Sequence, residues 1–312
     1  MRTKQSPKIL AIMVGVGLAA CSMLRAEDPT EAAVKDPGRF LENVARDLKW
    51  SEPTEPMKVV GPIHFVGTKG LSVWLITSPK GHVLLNSGMP GSGPLIEKSI
   101  RKLGFKPEDI KLLLTCHAHV DHVGGHAYLE KLTGAQVVML RDEVELLQSG
   151  GKSDFHYATI PAFAFDPVKT DRLIQDGDEI VVGDVTLKAL HTPGHTRGST
   201  TWVANVTDSG KKYKVVFPDG TSVNPGYRLV KKPSYPGIAD DFRRTFQILD
   251  ALKPDIWLRP HTDTLNLEGR RKRSATEGAQ AWVDPEGYQK WVTTQHEKFE
   301  LQVAKEKEST SK

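Results

Sequence analysis

Six consecutive residues of this chain contain four side chains that can bind a metal ion: His117-Ala118-His119-Val120-Asp121-His122. The apolar run of residues 111–116 directly precedes them and is typical of a buried strand, and Gly124-Gly125 after them indicates a turn. The motif is therefore expected on a loop at the end of a strand, where side chains can converge in front of a sheet. The alternative is a polar loop whose histidines bind nothing, and the tight clustering of ligand types argues against it.

The spacing within this motif suits two metal ions. Imidazole nitrogen is a good zinc ligand, and a carboxylate oxygen is an acceptable one. Residues two apart on an extended segment point the same way, so His117 and His119 can bind one ion together. Asp121 and His122 lie beyond the point where the chain turns and can face a second ion. Two metals about 3.5–4 Å apart can share a hydroxide and polarise a carbonyl, so the motif predicts a hydrolytic centre.

Two further histidines follow strand-like segments. His195 lies in a turn-rich loop between the strand-like residues 185–190 and 200–206, and His261 ends the apolar run of residues 256–261. Each of them alone would be more typical of a hydrogen-bonded loop histidine than of a metal ligand. Because three loops now carry histidines directly after strands, a ligand role is favoured for both.

With its ligand loops in this order, the sequence resembles the metallo-β-lactamase superfamily. From about Trp50 onward it is most similar to subclass B3, whose members are periplasmic zinc enzymes that open β-lactam rings. The subclass likeness rests on the absence of a Cys ligand after the third strand group and on residues 223–229 and 235–246. Strand runs with interspersed helices indicate a mixed α/β layered domain. The resemblance implies the particular α/β fold, a four-layer αβ/βα sandwich.

The resemblance also implies site residues and an activity. Zinc 1 would be bound by His117, His119 and His195, and zinc 2 by Asp121, His122 and His261. The implied reaction is hydrolysis of the β-lactam amide bond by a metal-bound hydroxide, with Asp121 orienting the nucleophile. Thr221 and Ser222 lie in the loop expected to bind the substrate carboxylate, although turn hydroxyls that bond to their own backbone are equally consistent with the sequence.

The sequence departs from the subclass at two positions. Gly220 occupies the place where subclass B3 usually carries a Ser that holds a water near zinc 2, so a Gly220→Ser variant is expected to retain or improve β-lactam turnover. The neighbouring Asp219 could bridge two metals, as in superfamily hydrolases of lactones, thioesters or phosphoesters, or could serve only the turn. These hydrolases are the alternative function. Asn86, where the family often has Asp, is interpreted as a turn residue or a residue that supports the ligands. A non-catalytic role would need a missing ligand, and none is missing.

The N-terminus predicts export. Arg2, Lys4 and Lys8 precede the apolar run of residues 9–20, which is the pattern of a signal peptide. Twelve residues are too few for a membrane span, which needs about 20. Cleavage is expected after Ala26, or before Cys21 of Leu18-Ala19-Ala20-Cys21, which resembles a lipoprotein box and would give a lipid anchor. We therefore predict a periplasmic protein whose residues 27–312 form one metallo-hydrolase domain with a C-terminal helix.

Charge and cysteine content argue against a nucleic-acid-binding protein and against a fold held by disulfides. Residues 1–26 hold four basic residues and no acidic one, so cleavage leaves 38 of each sign and nothing that suggests a nucleic-acid partner. The basic run Arg270-Arg271-Lys272-Arg273 is interpreted as a solvated face rather than a phosphate site. Cys21 and Cys116 are the only cysteines, so no disulfide is expected in the mature chain, and Cys116 should be a small buried residue. We expect a monomer that acts on a small molecule.

Hydrophobic patterning predicts the remaining elements. Asp36 and Pro37 should open a short helix, and Ser92 should cap another. Further helices are expected at residues 127–132, 142–148 and 240–252 and after Pro285. Strands are expected at residues 58–66, 71–77, 82–85 and 136–140. Residues 262–280 are predicted to be irregular, and the tail from residue 305 is expected to fray.

Two segments have more than one interpretation. Residues 151–170 lack periodicity, and a loop of that length is often functional, so it could form a wall of the substrate cleft or pack against the body. The terminal helix carries an apolar stripe, which is interpreted as a docking face onto the domain rather than a partner site; its residues are Tyr288, Trp291, Val292, Phe299 and Val303.

Overall fold

The computed structural model describes residues 29–308, so the predicted export signal with Cys21 lies outside the described residues. The strands in this range are β1 Met57–Val60, β2 Ile63–Phe65, β3 Trp74–Ile76, β4 His82–Leu85, β5 Ile110–Leu114, β6 Gln136–Leu140, β7 Arg172–Ile174, β8 Glu179–Val182, β9 Val185–His191, β10 Thr200–Asp208, β11 Lys211–Phe217 and β12 Ile256–Trp257. The α-helices are α1 Pro29–Lys35, α2 Pro37–Asp47, α3 Gly93–Lys102, α4 Val120–Val123, α5 His126–Thr133, α6 Val144–Gln148, α7 Ile238–Ala251, α8 Leu267–Glu277 and α9 Pro285–Glu308.

The strands form two mixed sheets. The first has the order β1-β2-β3-β4-β5-β6-β7, antiparallel up to β4 and parallel from β4 to β7. The second has the order β12-β11-β10-β9-β8 and is antiparallel except for the parallel pair of β11 and β12. Both sheets thus combine hairpins with crossover connections, which carry the helices.

Side-chain alternation along the strands builds three apolar layers. In β5, Leu112 and Leu114 face the core between the sheets, whereas Leu113 faces the helices that cover the first sheet. In β11, Phe217 faces the inter-sheet core and Val216 faces α7 and α9 on the other side. The predicted four-layer αβ/βα sandwich is therefore confirmed.

Several predicted element boundaries are confirmed and others are wrong. The strands at 82–85 and 136–140 are confirmed, and the Asp36 carboxylate accepts a hydrogen bond from Arg39 N at 3.0 Å, as expected of a helix cap. The predicted strand 58–66 is two strands, because Gly61 adopts φ 49° and turns the chain between β1 and β2. Ser92 occupies the cap position of α3, but its side chain makes no capping bond.

The prediction that residues 262–280 are irregular is wrong, since they contain helix α8. Apolar periodicity does not reveal this helix, because polar contacts hold it in place. The buried Arg270 donates to Trp282 O at 2.8 Å and to the Asp284 carboxylate at 3.0 Å, and Asn266 caps the helix. The basic run is therefore only partly a solvated face, since Arg270 is buried and Arg273 donates to Ala281 O.

The terminal helix packs as predicted, with its apolar stripe buried against α7 and β12. Residues 305–308 remain helical rather than frayed, and the four residues after them lie outside the described range. Near the end of α9, the Glu306 carboxylate accepts hydrogen bonds from the backbone N–H groups of Leu229 and Val230 and so fixes that loop. Among the helices of residues 29–308, none has the length and apolar character needed to cross a membrane.

Candidate metal centre

The predicted ligands meet at one end of the two sheets. His117 and His119 lie on the irregular segment that follows β5, and Asp121 and His122 lie on the short helix α4. His195 comes from the loop between β9 and β10, and His261 follows β12. The first sheet therefore supplies four of the six predicted ligands and the second sheet supplies two.

His117, His119 and His195 form a group in which one nitrogen of each ring lies within 4.8 Å of the others. Nδ1 of His119 is 3.1 Å from Nε2 of His195. All three side chains are buried. The structure thus brings together the three residues predicted to bind zinc 1.

Asp121 is the centre of the second group. With His117 and His122 it forms a set whose ligand atoms lie within 4.8 Å of one another. Its Oδ2 lies 3.2 Å from Nε2 of His122 and 3.4 Å from Nε2 of His261. The three residues predicted for zinc 2 are therefore adjacent, with Asp121 between the two histidines.

Two buried nitrogens indicate that these groups fit a cation. Nε2 of His117 is buried and has no hydrogen-bond partner among the described residues, and Nε2 of His122 is buried with only the 3.2 Å contact to Asp121, which lacks hydrogen-bond geometry. A buried polar atom without a partner costs about 1–3 kcal/mol, and a metal ion would remove this cost at both atoms. Burial also lowers the pKa of His195 and of His261 to about 3, which keeps both imidazoles in the neutral form that ligates metals.

Each ring of the first group is also held at its other nitrogen. Nδ1 of His117 lies 2.8 Å from the Asp219 carboxylate, and Nε2 of His119 lies 3.0 Å from that of Asp154. Nδ1 of His195 lies 2.8 Å from the carbonyl oxygen of Ser222. Acceptors placed in this way fix the tautomer and orientation of a ligating imidazole.

Residues 151–170 both support the centre and line the cleft. Besides its contact with His119, Asp154 accepts hydrogen bonds from His156 N and Tyr157 N at 2.7 Å each. The ring of Phe163 stacks on that of Tyr157 at 3.8 Å, and both rings line the cleft in front of the metal ligands. The loop therefore lines the cleft and also packs against the body, where Phe165 and Val168 are buried.

The cleft has a volume of about 220 Å³ and a mixed lining. Its apolar lining residues include Phe40, Leu41, Val44, Trp50 and Phe163. The predicted substrate-binding residues also line it: Thr221, which is buried, and Ser222, which is exposed. Arg259 also lines the cleft, and it is the one lysine or arginine to do so within residues 29–308.

The fold and this site match known proteins. A family model described as the metallo-beta-lactamase superfamily matches residues 66–206. The structure is similar to native FEZ-1 metallo-beta-lactamase from Legionella gormanii, with a TM-score of 0.80 and 36% sequence identity over 82% of this chain and 98% of that chain. It is also similar to BJP-1, a subclass B3 metallo-beta-lactamase of Bradyrhizobium japonicum, with a TM-score of 0.79 and 37% identity over 86% of this chain and 100% of that chain. The chain belongs to the metallo-β-lactamase superfamily.

Curated relatives within the metallo-β-lactamase superfamily are more distant. An N-acyl homoserine lactonase of Bacillus sp is 26% identical over 165 residues, which cover 45% of this chain and 61% of that protein. The chain spans about half the length of other curated relatives that it matches.

The two departures from the subclass B3 pattern have structural explanations. Gly220 adopts φ 87°, and a Cβ built on it would collide with the carbonyl oxygen of Thr192, so the geometry argues against the expectation that a Ser restores turnover there. Asn86 supports the segment before the ligands, since its Oδ1 accepts hydrogen bonds from Cys116 N at 2.9 Å and from the Thr115 hydroxyl at 3.0 Å. Cys116 is buried as predicted.

Asp219 does not belong to either group of ligand atoms found within the described range. Instead its carboxylate lies 2.8 Å from Nδ1 of His117. Burial raises the pKa of Asp219 to about 7, and a cation bound by His117 would lower it again. The sequence suggested a bridging or a turn role, whereas the contact identifies a residue that orients a ligand.

Sequence reasoning missed three residues at this site. Asp154 contacts His119 across 35 positions of sequence, and its only signal was an acidic side chain in a long aperiodic loop. Tyr227 donates from its hydroxyl to His195 O at 3.0 Å, and Arg259 reaches the cleft from the strand end before His261. Neither of these two residues has a local pattern that indicates the contact.

Proposed function

We propose that this protein hydrolyses the amide bond of β-lactams with two bound zinc ions. The observation that carries the proposal is the combination of both ligand groups with 36–37% identity to β-lactamases over 98–100% of their chains. Fold alone would not fix the substrate. Here the likeness covers 82–86% of this chain.

The first zinc would be held by His117, His119 and His195, and the second by Asp121, His122 and His261. Zinc bound at these residues would supply a water of pKa about 7 and polarise the carbonyl of the substrate. His122 and His261 oppose the effect of burial on Asp121 and hold its pKa well below its usual range, so it stays ionised. An ionised carboxylate that lines the cleft can accept a hydrogen bond from the attacking water and orient it.

Three polar residues that line the cleft suit a substrate carboxylate. Thr221 and Ser222 offer hydroxyl donors, and Arg259 offers a positive charge. Nη1 of Arg259 donates to the side chains of Asp263, at 3.2 Å, and Thr264, at 2.8 Å, which fixes the guanidinium within the loop after β12. Positioned donors of this kind favour anionic substrates over neutral ones.

Lactone hydrolysis is the second candidate, because an N-acyl homoserine lactonase is among the relatives. Opening a lactone uses the same attack of water on a carbonyl. The sequence argument for this alternative was a bridging Asp219, and the contact of Asp219 with Nδ1 of His117 weakens that argument.

Turnover of nitrocefin by the purified, zinc-loaded protein tests the proposal. We expect hydrolysis that a chelator abolishes and that added zinc restores. Asp121→Ala should abolish it, whereas His296→Ala, which changes a histidine on α9 far along the chain from the ligands, should not. In a parallel assay, the acid released by hydrolysis of an acyl homoserine lactone is measured, which tests the second candidate. Lactone turnover without any β-lactam turnover would reject the first candidate in favour of the second.

We also propose that the protein acts in the periplasm as a monomer. The support is the basic and apolar pattern of residues 1–20 and the self-contained cleft, whose ligands all come from one chain.

A further inference from the structure

Glu143 is a buried carboxylate that connects the two halves of the metal centre. It ends the 3-10 turn Arg141–Glu143 and is only 1% exposed. Its Oε1 accepts a hydrogen bond from Ala118 N at 2.6 Å, and its Oε2 accepts one from Gly198 N at 2.8 Å. Both oxygens of one carboxylate are therefore bound to backbone N–H groups from different loops.

The two partners lie next to metal ligands. Ala118 stands between His117 and His119 on the segment after β5 of the first sheet. Gly198 lies three residues after His195, in the loop between β9 and β10 of the second sheet. The loop that supplies two ligands of the first group and the loop that supplies the third are thus held by the same side chain.

The chain provides space for this contact. A Cβ built on Gly198 would lie 2.5 Å from both the backbone N and the Cβ of Glu143, so only glycine allows the approach. Burying a carboxylate is costly, and here the cost is offset by charge-assisted hydrogen bonds. An apolar side chain in its place would leave two buried N–H groups without partners, at about 1–3 kcal/mol each.

We infer that Glu143 is a positioning residue that sets the separation between the loop of His117 and His119 and the loop of His195, and thereby the geometry of the first metal site. The inference rests on the proposed metal centre and deepens it. It does not depend on which substrate the centre acts on.

The test compares Glu143→Gln with the matched control Glu145→Gln, an exposed residue two positions along the same segment. Glutamine keeps the length of the side chain but has one acceptor oxygen, so one of the two N–H groups loses its partner. Zinc dissociation constants of both sites are measured by competition with a chromophoric chelator, and the visible absorption of the cobalt-loaded protein reports coordination geometry. We expect E143Q to weaken the first site about 10–100-fold and alter the cobalt spectrum, with a much smaller change at the second site. E145Q should match the unchanged protein.

Two results would overturn the inference. Unchanged affinities and spectrum in a less stable E143Q protein would make Glu143 a purely structural residue. Equal weakening of both sites would indicate a through-space effect of its charge rather than positioning. If E143Q fails to fold, Gly198→Ala strains the same contact from the other loop and must reproduce the selective loss at the first site. Selective loss of metal in a protein without β-lactamase activity would reject the proposed function and leave this inference standing.

Discussion

The Asp219 carboxylate lies 2.8 Å from Nδ1 of His117, while Nε2 of the same ring has no hydrogen-bond partner within residues 29–308. This arrangement makes Asp219 the residue that orients His117 toward a cation. Asp219→Ala should therefore weaken the first zinc site about 10–100-fold. Asp219→Asn should restore most of the affinity, because its amide oxygen can accept the same hydrogen bond. Metal titration of both variants measures the effect, and loss of both zinc ions together would instead point to a bridging ligand.

The two ligand groups predict two separable metal sites. His195→Ala should lower the affinity of the first site, and His261→Ala that of the second, because each removes one of three ligands. Elemental analysis after dialysis against a weak chelator should give about two zinc ions for the unchanged protein and about one for each variant. A single tightly held ion that neither substitution affects would contradict the assignment.

We predict that the fold does not tolerate Ser at position 220, although subclass B3 usually carries a Ser there. Gly220→Ser should destabilise the fold, because the new Cβ would collide with Thr192 O at a positive φ. Gly104 has nearly the same φ, 86°, with nothing within 4 Å, so Gly104→Ser isolates the cost of the backbone conformation. We expect Gly220→Ser to cost about 1–3 kcal/mol more than the control in denaturant unfolding. Equal costs would mean that the Thr192 carbonyl moves aside easily.

His126 predicts acid sensitivity of the metal-free protein. Its Nδ1 lies 2.6 Å from the Ser87 hydroxyl, and burial lowers its pKa from 6.5 to about 3. Below pH 6.5 the His126 imidazole is therefore protonated in the unfolded chain but stays neutral in the folded chain. The contribution of His126 to the free energy of unfolding is fully present above pH 6.5. It falls by about 1.4 kcal/mol for each pH unit between pH 6.5 and about pH 3.

The non-titrating variant His126→Asn should flatten the pH dependence of the unfolding free energy between pH 6 and pH 4. His296→Asn, which changes a half-exposed histidine on α9, serves as the control. Identical pH slopes for His126→Asn and the unchanged protein, measured by urea unfolding in the presence of chelator, would disprove this role of His126.

Residues 1–26 predict an exported product, and mass spectrometry of the mature N-terminus in a bacterial host decides its form. Glu27 as the first residue means a soluble product. An acylated Cys21 means a lipoprotein, whose several acyl chains are needed for stable anchoring. Retention of Met1 would contradict both forms.

The sequence predicted the cluster of candidate ligands because their chemistry is local. Four of them lie in one motif, and the other two follow strands that apolar runs reveal. The supporting contacts could not be predicted in the same way. Asp154 and Glu143 act through hydrogen bonds that span 35 and 55 positions of sequence, to His119 and Gly198 respectively. The same reason explains α8, which apolar periodicity does not indicate because the contacts of Arg270 stabilise it.

The supply of ligands by both sheets has a further consequence. His117 follows a strand of the first sheet, and His195 and His261 follow strands of the second. A bound cation would therefore act as a removable crosslink across the seam between the two halves of the sandwich. At a free metal concentration a thousandfold above the dissociation constant, such a link adds about 4.1 kcal/mol to the free energy of unfolding. Resistance of the chain to proteases would then depend on the zinc supply of its surroundings as well as on its sequence.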